Sequence, residues 1–245
     1  VDIGTGASFT TNAVMPHHII FDRSYVHGDI ASPAGRRGIA LNGTNVGVVD
    51  SYVSGFAEPG ADTQAIWVFQ GDGPFKIVNN YLESGSENIM FGGSDPRITN
   101  SVPSDIEVKA NHFYKPLTWM SAGLVGKNLL EFKNGQRALI EGNYFENSYA
   151  DAQSGYALVI TPRNQDGTCL WCITQDITFR YNKMVNTGAG ISLMGRDTNP
   201  GYTTQITERV AIENNVILAN GLNGATGWGF LLSNGFHNVS IDHNT

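Results

Sequence analysis

The chain has 245 residues, a formal charge of -7, only 15% charged residues and 29 glycines. A negative chain with so few basic residues argues against an extended nucleic-acid-binding surface, so no nucleic-acid partner is expected. No run of 18 apolar residues is present, which excludes a membrane-spanning helix. The chain starts at Val1 without a signal-like segment, which we expect of a processed secreted protein or of a piece of a longer one.

A short motif recurs along the chain at intervals of 27 to 39 residues. In each unit the first and third residues are apolar, and the eighth is apolar wherever the chain reaches it. Alternation with a period of two residues predicts a β-strand followed by a turn. In chain order the units are IIFDRSYV from Ile19, VGVVDSYV from Val46, FKIVNNYL from Phe75, IEVKANHF from Ile106, ALIEGNYF from Ala138, ITFRYNKM from Ile177, VAIENNVI from Val210 and VSIDHNT from Val239.

The sixth residue of the unit is Ser in the first two units and Asn in the others. If successive units stack, these side chains form a ladder, because an amide can both donate and accept hydrogen bonds. Asn also tolerates the left-handed conformation that a sharp bend requires. We interpret the column as structural. Its members are Asn80, Asn111, Asn143, Asn182, Asn215 and Asn244.

A second apolar strand recurs in each unit, as in NIMFGGSD, NLLEFKNG, YALVITPRN and GISLMGRD. Two or three strands per unit of roughly 30 residues predict a parallel β-solenoid of about eight coils. We expect residues 1–245 to form a single all-β domain. The last unit stops before its eighth residue and leaves a strand edge that solenoids normally cap, so we expect a longer chain, or a capping segment or subunit at this end.

The repeats IEGNYF, IENNVI and IDHNT, together with the Asn column, resemble the right-handed parallel β-helix superfamily, the pectate-lyase-like fold. The resemblance covers residues 17–245 and implies a right-handed parallel β-helix with an internal Asn ladder. That superfamily includes polysaccharide lyases, glycoside hydrolases, epimerases, adhesins and phage spikes. The resemblance therefore implies a fold but no single activity.

Two sets of charges follow the repeat. The fourth residue of the unit alternates in sign through Lys109, Glu141, Arg180 and Glu213, which predicts an outward ladder of ion pairs without a role in chemistry. At the end of the second strand, FKN, PRN and GRD instead align three cations in one column. These are Lys133, Arg163 and Arg196, followed by Asn134, Asn164 and Asp197.

Stacked like charges repel, so this column either has carboxylate partners or binds an anion. An acidic polysaccharide suits it, since in a polysaccharide lyase a cation neutralises a uronate carboxylate while a base removes the neighbouring proton. A Lys or Arg can be that base if nearby cations and burial lower its pKa. We therefore predict that Lys133, Arg163 and Arg196 are catalytic.

NLLEFKNG followed by LVITPRN is similar to the lyase family that contains alginate lyases and chondroitinase B. The resemblance implies Lys133 as base, Arg163 as acid and a nearby acidic cluster that holds calcium. The candidate calcium ligands are Asp197, Asp95 and Glu131. One departure from the family pattern is Asn128, which stands where an acidic ligand is expected.

Other polar and aromatic residues complete the candidate site. Asn134 and Asn164 are candidate substrate-binding residues. Trp119 and Trp171 lie in predicted loops, where an exposed ring could stack on a sugar. The pair Cys169 and Cys172 in TCLWC is compatible with a redox motif, half of a zinc site or a local disulfide.

Two functions from different classes remain open. The first is an extracellular or periplasmic carbohydrate-active enzyme that cleaves an acidic polysaccharide by β-elimination. The second is a non-catalytic β-helix used for glycan binding, adhesion or extracellular assembly.

Overall fold

A computed structural model of the protein describes residues 1–29, 35–199 and 201–245. Its strands form three sheets, and all strand pairs within these sheets are parallel. Neighbours in each sheet come from consecutive turns of the chain, so the chain winds as a parallel β-helix, as the repeat predicts. Within the described ranges, no helix is long and apolar enough to cross a membrane.

The strands follow one another from sheet to sheet. The first sheet contains Asp2–Ile3, Arg37–Leu41, Gln64–Val68, Glu87–Phe91, Leu130–Phe132, Tyr156–Ile160, Ala189–Met194 and Phe230–Ser233. The second contains His17–Asp22, Thr44–Val49, Phe75–Val78, Ser104–Lys109, Gly135–Glu141, Thr174–Arg180, Glu208–Glu213 and His237–Asp242. The third contains Tyr25–His27, Tyr52–Phe56, Tyr81–Ser84, His112–Tyr114, Tyr144–Glu146, Lys183–Thr187 and Val216–Ala219. Short 3-10 helices cover Asn12–Val14, Leu117–Ser121 and Leu222–Gly224.

The register of the second sheet matches the repeat alignment. Ile106 pairs with Ala138, which pairs with Ile177, and all three side chains are buried in the interior of the coil. Phe113 and Phe145 stack in the same interior with ring centroids 4.4 Å apart. The apolar positions therefore form a continuous core along the helix axis because each inward residue packs on its equivalent in the next coil.

The Asn ladder is confirmed by its hydrogen bonds. The backbone N–H and the side-chain Nδ2 of each ladder residue from Asn80 to Asn215 both donate to Oδ1 of the next one, at 2.8 to 3.1 Å. The left-handed conformation belongs to the preceding residue instead, for example Ala110 with φ 52 and Tyr181 with φ 54. The hydrogen-bonding capacity of the amide, and not its backbone preference, thus accounts for Asn at this position.

The outward charge ladder is also confirmed. Lys109, Glu141, Arg180 and Glu213 occupy paired positions on successive strands. Glu141 lies 3.7 Å from the Lys109 ammonium and 2.6 Å from Arg180 Nε. Glu141 therefore pairs with cations on both neighbouring strands of the second sheet.

Candidate functional site

The register of the first sheet sets Lys133 apart from the other two predicted cations. Phe132 pairs with Ile160, which pairs with Leu193. Lys133 lies one residue after Phe132. Arg163 and Arg196, in contrast, lie three residues after Ile160 and Leu193. The predicted single column of three cations is therefore wrong, because register is set by the buried strand residues and not by the letters that flank each cation.

Lys133 and Arg163 nevertheless meet at one cleft on the outer face of the first sheet. The cleft has a volume of about 400 Å³, and Glu131 and Asp197 line it as well. Amide and hydroxyl groups contribute further polar lining, from Asn128, Gln153, Ser154, Thr161 and Ser192. The apolar lining comes from Tyr156, Val159, Met194 and Leu231. A concave site with polar groups set among apolar ones is a common form of small-ligand site.

Each cation of the cleft has its own carboxylate partner. Lys133 Nζ lies 3.1 Å from Glu131 Oε1, and the Lys133 side chain is only 10% exposed. Arg163 Nη1 donates to Asp197 Oδ2 at 3.0 Å, and its side chain is 21% exposed. The sequence left open whether these cations have carboxylate partners or bind an anion. The structure shows carboxylate partners for both, and both ion pairs border the same cleft.

The comparisons with known proteins bear on the fold. Residues 65–245 match the family described as right handed beta helix region. The chain belongs to the right-handed β-helix family. Among solved structures, it is similar to the tailspike protein gp49 from Pseudomonas phage LKA1, with 9% identity and a TM-score of 0.40 over 94% of this chain and 43% of that chain. This β-helix therefore spans less than half the length of that tailspike, and no curated protein matches it.

The third predicted catalytic cation is not part of the cleft of this β-helix. Arg196 is exposed and borders a separate hollow together with Glu208 and His237. Its backbone oxygen accepts a hydrogen bond from Asn234 Nδ2 at 3.1 Å. The structure therefore brings together Lys133 and Arg163 but places Arg196 elsewhere.

The two predicted substrate-binding amides are buried in backbone contacts. Asn134 Nδ2 donates to Ser101 O at 3.3 Å, and Asn134 Oδ1 accepts from the Ile173 N–H at 3.2 Å. In the next coil, Asn164 binds Thr203 O through Nδ2 at 3.0 Å and the Cys169 N–H through Oδ1 at 3.0 Å. Neither side chain lines the cleft, so the structure gives both amides a role in holding loops.

The two predicted sugar platforms also lie outside the cleft. Trp119 is in the 3-10 helix Leu117–Ser121 and is only 6% exposed, so the expectation of an exposed ring is wrong at this position. Trp171 is half-buried, and its indole N–H donates to Ser101 O at 3.1 Å.

Trp171 lies between Cys169 and Cys172, which form a disulfide. Of the three readings of TCLWC, the disulfide is therefore the one that the structure shows.

Calcium does not fit the three candidate ligands. Both oxygens of Asp95 accept backbone N–H groups, from Gln165 at 2.6 Å and from Thr168 at 2.9 Å. The oxygens of Asp197 bind Arg163 and the Asn199 N–H, and Glu131 faces the Lys133 ammonium. Calcium needs six to eight oxygen ligands converging on one point, whereas these carboxylates bind separate partners. Among the residues that the structure describes, no group of three or more His, Cys, Asp or Glu is arranged to hold a metal.

Glu87 was missed by sequence reasoning and lies on the strand that pairs with the strand of Glu131, a residue that lines the cleft. It is fully buried on the first sheet, and Gln64 Nε2 donates to its Oε2 at 2.5 Å. Burial, followed by the charge of Glu131, raises the pKa of Glu87 to about 8. The sequence contains one signal for it, because Glu87 directly precedes the apolar predicted strand NIMF, and a carboxyl group buried with such a strand requires a partner.

Proposed function

We propose that this protein is a secreted carbohydrate-active β-helix protein that binds an acidic polysaccharide in the cleft and cleaves it by β-elimination. One observation carries the proposal: a Lys and an Arg, each paired with a carboxylate, border a single cleft that also offers hydroxyl, amide and apolar groups. Sugar rings present hydroxyl groups at their edges and apolar C–H faces, so such a mixed lining suits them.

A uronate carboxylate can replace a protein carboxylate at either cation. Asp197 binds Arg163 through one guanidinium nitrogen, which leaves other N–H donors of the guanidinium available. Arg recognises carboxylates in a bidentate geometry, so a substrate carboxylate can share or displace Asp197. This exchange favours an acidic glycan over a neutral one, because only the acidic glycan compensates for the lost ion pair.

The proposed reaction is a β-elimination. A base removes the proton from the carbon beside the uronate carboxylate, the electron pair forms a carbon–carbon double bond, and the bond to the glycosidic oxygen breaks. The leaving oxygen takes up a proton from water or from the protonated base. The family resemblance assigns the base to Lys133 and the acid to Arg163. Because a guanidinium keeps its proton, Arg163 is physically better suited to neutralising the substrate carboxylate. Calcium remains a prediction of that resemblance, and no step here depends on it.

The test combines two cleft variants with two matched surface variants. Alginate, pectate and glycosaminoglycans are each incubated with wild type, and unsaturated products are followed by their ultraviolet absorbance. We expect wild type to form such products from one of these glycans, and Lys133→Ala and Arg163→Ala to lose at least about 100-fold in rate. Lys109→Ala and Arg137→Ala, which remove ion-paired cations of the second sheet, should retain the wild-type rate. Absence of unsaturated product from every acidic glycan would refute the lyase proposal.

Non-catalytic glycan binding is a second candidate. It is favoured by the ion pairs themselves, since a Lys133 ammonium held by Glu131 is not free to act as a base. Calorimetric titration with acidic oligosaccharides separates the two candidates. Binding that is weakened by Arg163→Ala, without any product, would support the second candidate, whereas absence of binding would exclude both.

The location and the open end of the helix are also proposals. Extracellular or periplasmic location is supported by the disulfide between Cys169 and Cys172, because disulfides persist in oxidising compartments.

A capping segment or subunit at the C-terminal end is supported by the exposed side chains of Leu218, Leu232 and Ile241 in the last strands. A longer natural chain or a stable complex that covers these residues would confirm the cap.

A further inference from the structure

Three side-chain atoms in the wall of the cleft have no hydrogen-bond partner among the residues that the structure describes. They are Glu131 Oε2, Thr161 Oγ1 and Arg163 Nε, and all three residues line the cleft. Glu131 and Thr161 are each only 1% exposed. Buried polar groups are nearly always paired, so three unpaired atoms at one cleft require an explanation.

The backbone places Thr161 next to both cations of the cleft. The Thr161 N–H donates to Phe132 O at 2.9 Å, and the Arg163 N–H donates to Lys133 O at 2.9 Å. The parallel pairing of Phe132 with Ile160 therefore continues beyond the strand ends, and Thr161 lies beside Lys133. Thr161 also precedes Arg163 by two residues, so its hydroxyl group lies on the cleft wall that carries both ion pairs.

The chemistry of the three atoms indicates which ligand groups would pair them. Arg163 Nε can only donate, and the carboxylate of an acidic glycan supplies an acceptor for it. Glu131 Oε2, in a carboxylate that is ion-paired with Lys133, can only accept. The Thr161 hydroxyl can do both. A sugar hydroxyl can donate to the carboxylate and accept from the threonine at the same time.

We propose that Glu131 Oε2 and the Thr161 hydroxyl form a subsite for a free hydroxyl group of the sugar whose carboxylate binds Arg163. An ester at this sugar hydroxyl removes the hydrogen that Glu131 accepts, and a sulfate ester also brings a second negative charge to Glu131. The cleft therefore favours acidic glycans that are neither acetylated nor sulfated at this position. This selectivity rests on the proposed function, because it requires an acidic glycan in the cleft.

The Thr161 hydroxyl can be removed without loss of a hydrogen bond within the described structure. Valine has the shape of threonine, and replacing an unpaired buried hydroxyl by a methyl group does not disfavour folding. Rotation about the first side-chain torsion exchanges the hydroxyl and the methyl group of threonine, so the hydroxyl can turn toward a ligand without movement of the backbone. Thr161→Val should therefore be at least as stable as wild type in urea unfolding but should bind the ligand less tightly.

The test is calorimetric titration with oligosaccharides of alginate, pectate and hyaluronan, each before and after chemical O-acetylation. We expect wild type to bind one unmodified oligosaccharide at least about tenfold more tightly than its acetylated form. Thr161→Val should weaken binding of the unmodified form about tenfold and leave the affinity for the acetylated form unchanged. Thr161→Ser keeps the hydroxyl and should retain the wild-type affinity. Where wild type cleaves the oligosaccharide, kcat/KM replaces the affinity in each comparison.

The matched control is Thr187→Val. Thr187 is fully buried in the third sheet, and its hydroxyl also has no partner within the described part of the chain, but it does not line the cleft. Its replacement should leave both affinities unchanged. If Thr161→Val binds the unmodified oligosaccharide as tightly as wild type, or loses affinity equally for the acetylated form, the subsite is overturned while the proposed function stands. If wild type binds none of the acidic oligosaccharides, both are overturned.

Discussion

Replacing Glu87 by Gln should make the protein more stable, by an amount that grows with pH. Burial raises the pKa of Glu87 from its ordinary value of 4.5 to about 8. Between these two values the folded protein binds a proton that the unfolded chain has released. Folding therefore becomes less favourable as the pH rises through this interval, and the penalty is absent below pH 4.5.

The size of the effect follows from proton linkage. One proton bound only by the folded state changes the free energy of unfolding by about 1.4 kcal/mol per pH unit. Across the interval from pH 4.5 to about 8, the cumulative difference between Glu87→Gln and wild type reaches on the order of 5 kcal/mol. The Gln amide can accept from Gln64 as Glu87 does, so the substitution preserves that hydrogen bond and removes the titration.

The assay is urea unfolding of wild type, Glu87→Gln and the control Glu213→Gln at several pH values in this interval. Other groups titrate in all three proteins, so the difference between the variants isolates Glu87. The gap between Glu87→Gln and wild type should widen steadily with pH, whereas Glu213→Gln should show no comparable trend. Parallel stability curves for wild type and Glu87→Gln would show that Glu87 is ionised in the folded protein and would refute the reasoning.

Three further predictions concern the ladder, the misaligned cation and the metal. Asn143→Ala removes the side-chain hydrogen bonds from Asn143 Nδ2 to Asn182 and Val108 and both bonds that Asn111 donates to Asn143 Oδ1, so urea unfolding should show a loss of about 2 to 4 kcal/mol. A loss below about 1 kcal/mol would contradict the role of the ladder. Arg196→Ala should leave glycan affinity in calorimetry unchanged, because Arg196 borders a separate hollow, and a large loss would place it in the binding site after all. Chelation of divalent cations should not alter glycan binding, because Asp95 and Asp197 already bind N–H donors. If chelation abolishes glycan binding and added calcium restores it, these carboxylates rearrange to hold the metal, and the prediction is wrong.

Much of the fold could be predicted from the sequence because the pattern is local and repeated. Apolar residues at alternate positions, as in Ala138 and Ile140, identify the inward face of a strand without any knowledge of its neighbours. Repetition then specifies which strands lie side by side, and the Asn column marks where they bend. The charge ladder through Glu141 was predicted for the same reason, since its members lie within strands whose register the core imposes.

The candidate site could be predicted only in part because it lies where the strands end. Lys133 and Arg163 were found as a pair of cations, but the alignment of their flanking residues also included Arg196. Beyond the last buried strand residue, no core side chain fixes the register, and the path of each loop decides where a cation points. Trp119 also lies outside the strands, so the path of its loop decides that its side chain is buried.

The sequence by itself determined the β-helix, its coils and its ladders, because these depend on residues close in the chain and on their repetition. Only the tertiary structure decided which charges share a cleft. Glu87 and Glu131 are 44 positions apart and are not direct strand partners, since Glu131 pairs with Met90. The influence of the Glu131 charge on the pKa of Glu87 depends on how the two side chains lie across adjacent coils. The resulting charge state depends on the burial of both, which arises only when the coils stack.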